Sequence, residues 1–342
     1  PYTTLFRSVS GGLCLQPHRR GDRLAAVEAQ GLLIALASVP LMVAFAAVVL
    51  LGVVPATVQT LPEFEGAIMA LPTGVQLGLI AGMLNLPNSA EYQAVTAANS
   101  AESISSLQVL TYTLTNFATV DEVKAGLRKI KVNGAKIAQY GGNTPLVHYT
   151  FHDANGKSIA VEYIKGELQI TDNPIGVMTN DPPFQDHLNS IGNYLNLSKV
   201  EKPPLVINGA KFTAPSSGSG LHGLPGDYLS PSRFIRALFL ANSVPTNYST
   251  AQMNAAAWHI LGSFDIPPGS VTLPATNPYG GGIGGFEVTE WSVTANNKNM
   301  TYSVKMYENT NVYVFDFKKM DVNAKEIKYT KLNQPLLTIP VN

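Results

Sequence analysis

Apolar positions follow two different rhythms in the chain after Glu91. Ile104, Leu107, Leu110, Leu114 and Phe117 stand at helical spacing, and Thr119-Val-Asp-Glu122 is a capping box that restarts a helix bearing Val123, Leu127 and Ile130. Alternation then replaces the helical rhythm. Val147, Tyr149 and Phe151 alternate with other positions, Asn155-Gly156 supplies a turn, and Ile159, Val161 and Tyr163 alternate again, which predicts a hairpin. A further strand pair is predicted to reach Val177 to Asn180. A short helix with Leu188, Ile191 and Leu195 follows, then a Gly/Ser/Pro loop from Ala214 to Gly226. Ser230 is placed to cap a helix whose first turn holds Pro231, and Thr250 to cap another with Met253, Ala257 and Ile260. Strands return from Phe286 to Phe317 around a turn at Asn296 to Asn299. Helices and antiparallel strands come in blocks, which predicts an α+β fold rather than a wound parallel sheet.

Before Glu91 the pattern is of another kind. No residue from Ala29 to Pro62 is charged, and the run from Gly31 to Ala56 would extend roughly 39 Å as a helix, longer than a bilayer's hydrocarbon core of about 30 Å. Arg19, Arg20 and Arg23 flank it on the N-terminal side, as a positive-inside anchor requires. Three readings stay open: a membrane anchor, a long signal sequence, and a frameshifted stretch. Pro1 to Ser8 is the in-frame translation of CCC TAC ACG ACG CTC TTC CGA TCT, which resembles the end of a sequencing-library adapter, so this segment is set outside the fold. The expected organisation is residues 1–8 adapter-like, 9–73 unassigned with the apolar run at 31–56, and 74–342 a folded domain.

Charge and cysteine content narrow the function. Lys and Arg total 23, Asp and Glu total 23, and no like-charged run is present, so nucleic acid is excluded as a partner. The single cysteine, Cys14, forbids an internal disulfide or a CxxC metal or redox motif, and no cofactor or metal is expected.

Most local motifs dissolve on inspection. Gly280 to Gly285 spells GxGxxG, but it precedes a strand, whereas a dinucleotide fingerprint lies between a strand and a helix. His148 and His152 would stand roughly 13 Å apart on a strand, too far to share a metal. Ser219 lacks the full nucleophile-elbow pattern. Asn85, Asn180 and Arg233 each sit where a strand or loop enters a turn or helix, and periodicity alone does not rank them.

Three longer segments do. TNFATVDEV, SIAVEYIKGELQITDNPIGVMTNDPPF and GLPGDYLSPSRFIRA together resemble the choloylglycine hydrolase family of linear-amide hydrolases, which includes bile salt hydrolases and penicillin V acylases; the resemblance runs from about Gly74 to about Thr330. It implies the αββα sandwich of N-terminal-nucleophile hydrolases, a small acyl-amide substrate and no cofactor. It also implies roles: Asn180 as the oxyanion-hole asparagine, Asn85 as a second polar residue of that hole, and Arg233 as the arginine that organises the site. In such hydrolases a cysteine freed as first residue attacks the amide carbonyl and its own α-amino group serves as base.

The family places an arginine about sixteen residues after that cysteine, with an acid three beyond. Here Gln30 stands at that distance from Cys14, and Arg19 and Asp22 follow too soon. The family's Asp-Gly-x-Asn-Glu-x-Gly-Leu turn appears as TGVQLGL, without its acids. Cys14 is therefore not read as the nucleophile, and the sandwich is expected to be incomplete at its N-terminus. The reading is a linear-amide hydrolase domain, with a membrane-anchored, non-catalytic binding protein as the alternative and a homo-oligomer left open. On this reading the chain as it stands does not hydrolyse glycine-conjugated bile salt or penicillin V. Turnover by this chain, abolished by Cys14→Ala, would overturn that expectation.

Overall fold

In the computed structural model the described residues are 79–136, 142–273, 286–296, 299–306, 309–320, 328–330, 332 and 335–340, with four short backbone strands at 3–7, 33–36, 48–49 and 66–69. Along the chain the strands and helices are β1 (Thr3–Arg7), β2 (Leu33–Leu36), β3 (Val48–Val49), β4 (Gly66–Met69), β5 (Leu79–Asn85), β6 (Ser103–Ser105), α1 (Gln108–Asn116), α2 (Val120–Leu127) and β7 (Lys131–Asn133). Next come β8 (Val147–Asp153), β9 (Ser158–Ile164), β10 (Glu167–Asp172), α3 (Phe184–Ser190), β11 (Leu205–Ile207) and β12 (Ala210–Phe212). The last are α4 (Ser230–Ser243), α5 (Thr250–Gly262), β13 (Trp291–Asn296), β14 (Thr301–Met306), β15 (Val312–Asp316) and β16 (Lys328–Thr330).

Two antiparallel sheets dominate, in the orders β10-β9-β8-β5-β3 and β1-β13-β14-β15. Helices α1 and α2 pack on β5 and β8 of the first sheet, and α5 packs on β1 and β13 of the second. The layers are helix, sheet, sheet, helix: the αββα sandwich. One apolar core joins Val109, Leu114 and Val123 of the helices to Tyr149, Phe151 and Val161 of the first sheet and to Val293, Tyr302 and Val304 of the second. Each such fully buried side chain contributes roughly 1.5–3 kcal/mol relative to exposure.

The β8–β9 hairpin is the organising element, and its turn explains its register. Gly156 adopts φ +84°, open to glycine without steric cost, and the strands then pair Tyr149 with Val161 and Phe151 with Ile159. The hairpin is tied to α2 by Asp153, which is 3% exposed. Its carboxylate accepts the backbone N–H of Val120 at 3.0 Å, of Asn155 at 2.9 Å and of Lys157 at 3.0 Å. The N-terminus of α2 also carries the expected capping box between Thr119 and Glu122.

Several expectations change. Ile104 belongs to β6, paired in parallel with β7, and α1 begins only at Gln108. Val177 to Asn180 is not a strand: β10 is the sheet's edge, and Asn173 turns the chain away by bonding Val177 O and Gly176 N at 3.0 and 2.9 Å. Ser230 is the first residue of α4 and makes no cap, and the cap of α5 is Ser249 with Gln252 rather than Thr250. Within the apolar run at 31–56 the described residues are strands, β2 pairing with β4 and β3 with β5, so the run is not one continuous helix. No helix among the described residues is long and apolar enough to cross a membrane. Thr3–Arg7 pairs with β13.

Asp153→Ala leaves three backbone donors without their acceptor. At about 1–3 kcal/mol per stranded buried group, with two of the three near solvent, unfolding free energy should fall by about 2–4 kcal/mol. Urea titration checks this, and a loss below about 0.5 kcal/mol would show that Asp153 is not a tie.

Candidate active site

Asn85 ends β5, Asn180 lies in the irregular segment before α3, and Arg233 is in the first turn of α4. The fold brings all three together. Asn180 Nδ2 donates to Asn85 O at 3.0 Å, and Arg233 Nη2 donates to Asn180 Oδ1 at 2.8 Å. Arg233 Nε is held in turn by Tyr228 O at 2.9 Å. Because Arg233 can only donate, Oδ1 must face the guanidinium and Nδ2 must face β5, so the amide has one orientation. Burial pulls the Arg233 guanidinium down to about 10, opposed by the Glu287 carboxylate and reinforced by Arg236, which leaves it cationic at neutral pH.

The backbone around Asn180 is held just as closely. Asn180 N donates to Ser230 Oγ at 2.9 Å, which explains why Ser230 is not a cap: its hydroxyl serves the neighbouring segment. Thr179 O accepts from His148 Nε2 at 2.8 Å, and Asn180 O accepts from His187 Nε2 at 2.8 Å. His148 Nδ1 lies 2.9 Å from Glu162 Oε1, and both side chains are almost fully buried. Glu162 also accepts the N–H of Phe184, the first residue of α3, at 3.0 Å. His187 stacks on Phe234, ring centroids 4.6 Å apart. The next residue, Asp181, accepts from Asn88 N at 3.0 Å and Ser89 Oγ at 2.6 Å, joining this segment to the turn after β5.

His148, Glu162, His187, Ser230 and Thr179 were not singled out by sequence reasoning as a group. Only the first pair left a signal, since the hairpin register places residues 148 and 162 opposite each other. His152 bonds Thr150 rather than joining them. Ser219 opens a short 3₁₀ turn and pairs with Glu201. Cys14 and Gly280 to Gly285 lie outside the described residues. Among the described residues no group of three His, Cys, Asp or Glu could hold a metal ion.

Residues 73–330 match the linear amide C–N hydrolases of the choloylglycine hydrolase family. A bile salt hydrolase/transferase of Clostridium perfringens is 32% identical over 233 residues, 68% of this chain and 68% of that protein. One from Bifidobacterium longum is 27% identical over 250 residues, 73% of this chain and 75% of its own. Among solved structures, a conjugated bile acid hydrolase of Clostridium perfringens superposes with a TM-score of 0.67 at 26% identity, covering 82% of this chain and 86% of that one.

Two desolvated histidines, His187 fully buried and His152 partly so, give the fold an acid limit. Burial holds His187 below the ordinary histidine value, against the opposing bond to Asn180 O, and burial takes His152 down to about 4. The unfolded chain takes up both protons near pH 6.5 while the folded chain does not, so this stability is present above about pH 6.5 and is lost as pH falls toward about 4. The urea midpoint should fall over that range, with a shallower slope in His152→Gln and in His187→Gln. An unchanged slope in both variants would contradict the assignment.

Proposed function

The chain belongs to the choloylglycine hydrolase family of linear amide C–N hydrolases, and on that premise we propose that its domain from residue 74 onward cleaves the C–N bond of a linear N-acyl amide, with Asn180 as oxyanion donor. The observation that carries this reading is the Asn180 carboxamide, locked between Arg233 and Asn85 O. One of its two Nδ2 hydrogens is used on Asn85 O, and on this reading the other serves the substrate's carbonyl oxygen. When a nucleophile adds to the amide carbonyl, negative charge gathers on that oxygen, and a donor already fixed in place stabilises it without reorganising. Arg233 serves twice here. It fixes which end of the amide donates, and its charge on Oδ1 polarises the amide toward stronger donation through Nδ2. Asn85, at the end of β5, lines the same hole.

The nucleophile is left unassigned, since Cys14 lies outside the described residues. For the substrate we favour a glycine- or taurine-conjugated bile salt, because the relatives reported above act on bile salts by name, with penicillin V as the comparison.

The test uses a chimera in which the N-terminal segment of the Clostridium perfringens relative, beginning with its cysteine, precedes Gly74. It should hydrolyse one of these amides, and Asn180→Ala should lower kcat by about 10² to 10³ with little change in KM, since the lost bond belongs to the transition state. Asn180→Asp should be at least as damaging, because a carboxylate repels the developing charge. A kcat left intact beside a lowered melting temperature would reduce Asn180 to a turn former.

A further inference from the structure

We propose that His148, His187 and Ser230 are positioning residues that clamp the Thr179–Asn180 backbone and so set where the Asn180 carboxamide stands. The catalytic meaning of the clamp rests on the oxyanion reading above, but its existence does not.

The segment needs such a device. It follows the edge strand β10 and enters α3 without a ladder partner, so its carbonyls and N–H groups have no neighbouring strand to satisfy them. Unpaired polar backbone in so buried a place is costly. Here three side chains from three elements supply the missing partners: His148 from β8 on Thr179 O, His187 from α3 on Asn180 O, and Ser230 from α4 on Asn180 N. Two consecutive carbonyls thus each receive an imidazole N–H.

Proton placement follows from the partners. Asn180 O only accepts, so His187 carries its hydrogen on Nε2; its Nδ1 is buried with no partner, and the downward shift keeps that nitrogen unprotonated. His148 stands between Glu162 and Thr179 O. Either the ring donates at both nitrogens to a carboxylate and a carbonyl, or Glu162 holds the proton and donates to Nδ1; both arrangements leave an N–H on Thr179 O. Ser230 is the third point. It accepts from Asn180 N and donates to Thr179 Oγ1 at 3.0 Å, and Thr179 Oγ1 returns a bond to Ser230 O at 3.2 Å.

Each clamp residue is itself fixed. Glu162 holds His148 and the first N–H of α3 together, and Phe234 holds the face of His187. Phe234 adjoins Arg233, whose guanidinium grips the Asn180 side chain, so the path from Asn180 through His187, Phe234 and Arg233 closes on Asn180 again. Backbone and carboxamide are therefore set by the same packing. A donor must be held to within about 0.5 Å to be effective, and a peptide free to rotate at Asn180 would exceed that.

The experiment is nuclear magnetic resonance on the full chain, which needs no turnover. At neutral pH, multiple-bond ¹⁵N spectra should show His187 protonated at Nε2 only. The Asn180 carboxamide signals are assigned by their disappearance in Asn180→Ala. His187→Phe keeps the stack on Phe234 but removes the donor; it should displace those signals and speed exchange of the Asn180 backbone N–H by several-fold to about tenfold, the range for one lost hydrogen bond. His187→Gln, which can place a donor near the same carbonyl, should restore both. Ser230→Ala should act like His187→Phe, and Ser230→Thr like the unaltered chain. A merely structural role predicts exchange raised evenly across the first sheet and no rescue by Gln or Thr. Unmoved carboxamide signals in both His187→Phe and Ser230→Ala, or a His187 protonated at Nδ1, would overturn the clamp. The chimera separates the two readings: an Asn180→Ala enzyme with intact kcat removes the oxyanion role and leaves the clamp standing, while failure of the clamp leaves the oxyanion role untouched.

Discussion

Glu162 is 2% exposed in the middle of β9, and a carboxylate withdrawn that far from water persists only when paired and hydrogen bonded. Its partners are what assemble the site. Across the hairpin it takes His148, and from the other side it takes the first N–H of α3. Through the second nitrogen of His148 the same hydrogen-bonded chain reaches Thr179 O, one residue before Asn180. Deleting one member of such a pair costs about 3–5 kcal/mol, because the other is left buried and alone. Sheet, helix and the irregular segment between them are thus bound to one group.

The same hairpin carries a second buried carboxylate of opposite aspect. Asp153 of β8 accepts the first N–H of α2, as Glu162 of β9 accepts the first N–H of α3. Strand alternation separates them: Tyr149, two pairs from Asp153 on its face, bonds Ser106 O beside α1, whereas Glu162 shares its face with Ala160, which packs on Phe184 and Phe234. Each carboxylate meets a helix N-terminus, where the partial positive charge of the helix favours an anion. Two helices on opposite sides of one sheet are in this way indexed to a single rigid hairpin, and the polar site inherits that rigidity.

Electrostatics at Asn180 follow from burial of a cation. Arg233 keeps its charge because its partners are the Tyr228 carbonyl and the Asn180 carboxamide oxygen, with the Glu287 field behind them. A neutral amide oxygen satisfies a guanidinium without cancelling its charge. A carboxylate in place of Asn180 would pair with Arg233 and cancel that charge.

Local chemistry determined the elements that depend only on near neighbours. The Thr119–Glu122 capping box, the Asn155-Gly156 turn and the alternation around it were legible, because a cap and a hairpin need only residues a few positions apart. The block order of helices and strands pointed to an α+β fold, and the αββα layering came only with the resemblance to a family; the pairing of 148 with 162 follows from the register seen in the structure. Asn85, Asn180 and Arg233 were recognisable only through longer motifs resembling a family, since their contacts span 95 and 53 positions. Tertiary structure alone decided the rest. Ile104 joined a strand because β7 offered it a partner, Val177 to Asn180 left the sheet because an edge strand had none to offer, and Ser230 gave its hydroxyl to Asn180 rather than to its own helix. His187 carried no signal at all. Periodicity records which face of an element is apolar; it does not record which polar atom that face will meet, and a hydrogen bond to a distant backbone carbonyl is settled only when the two elements are packed together.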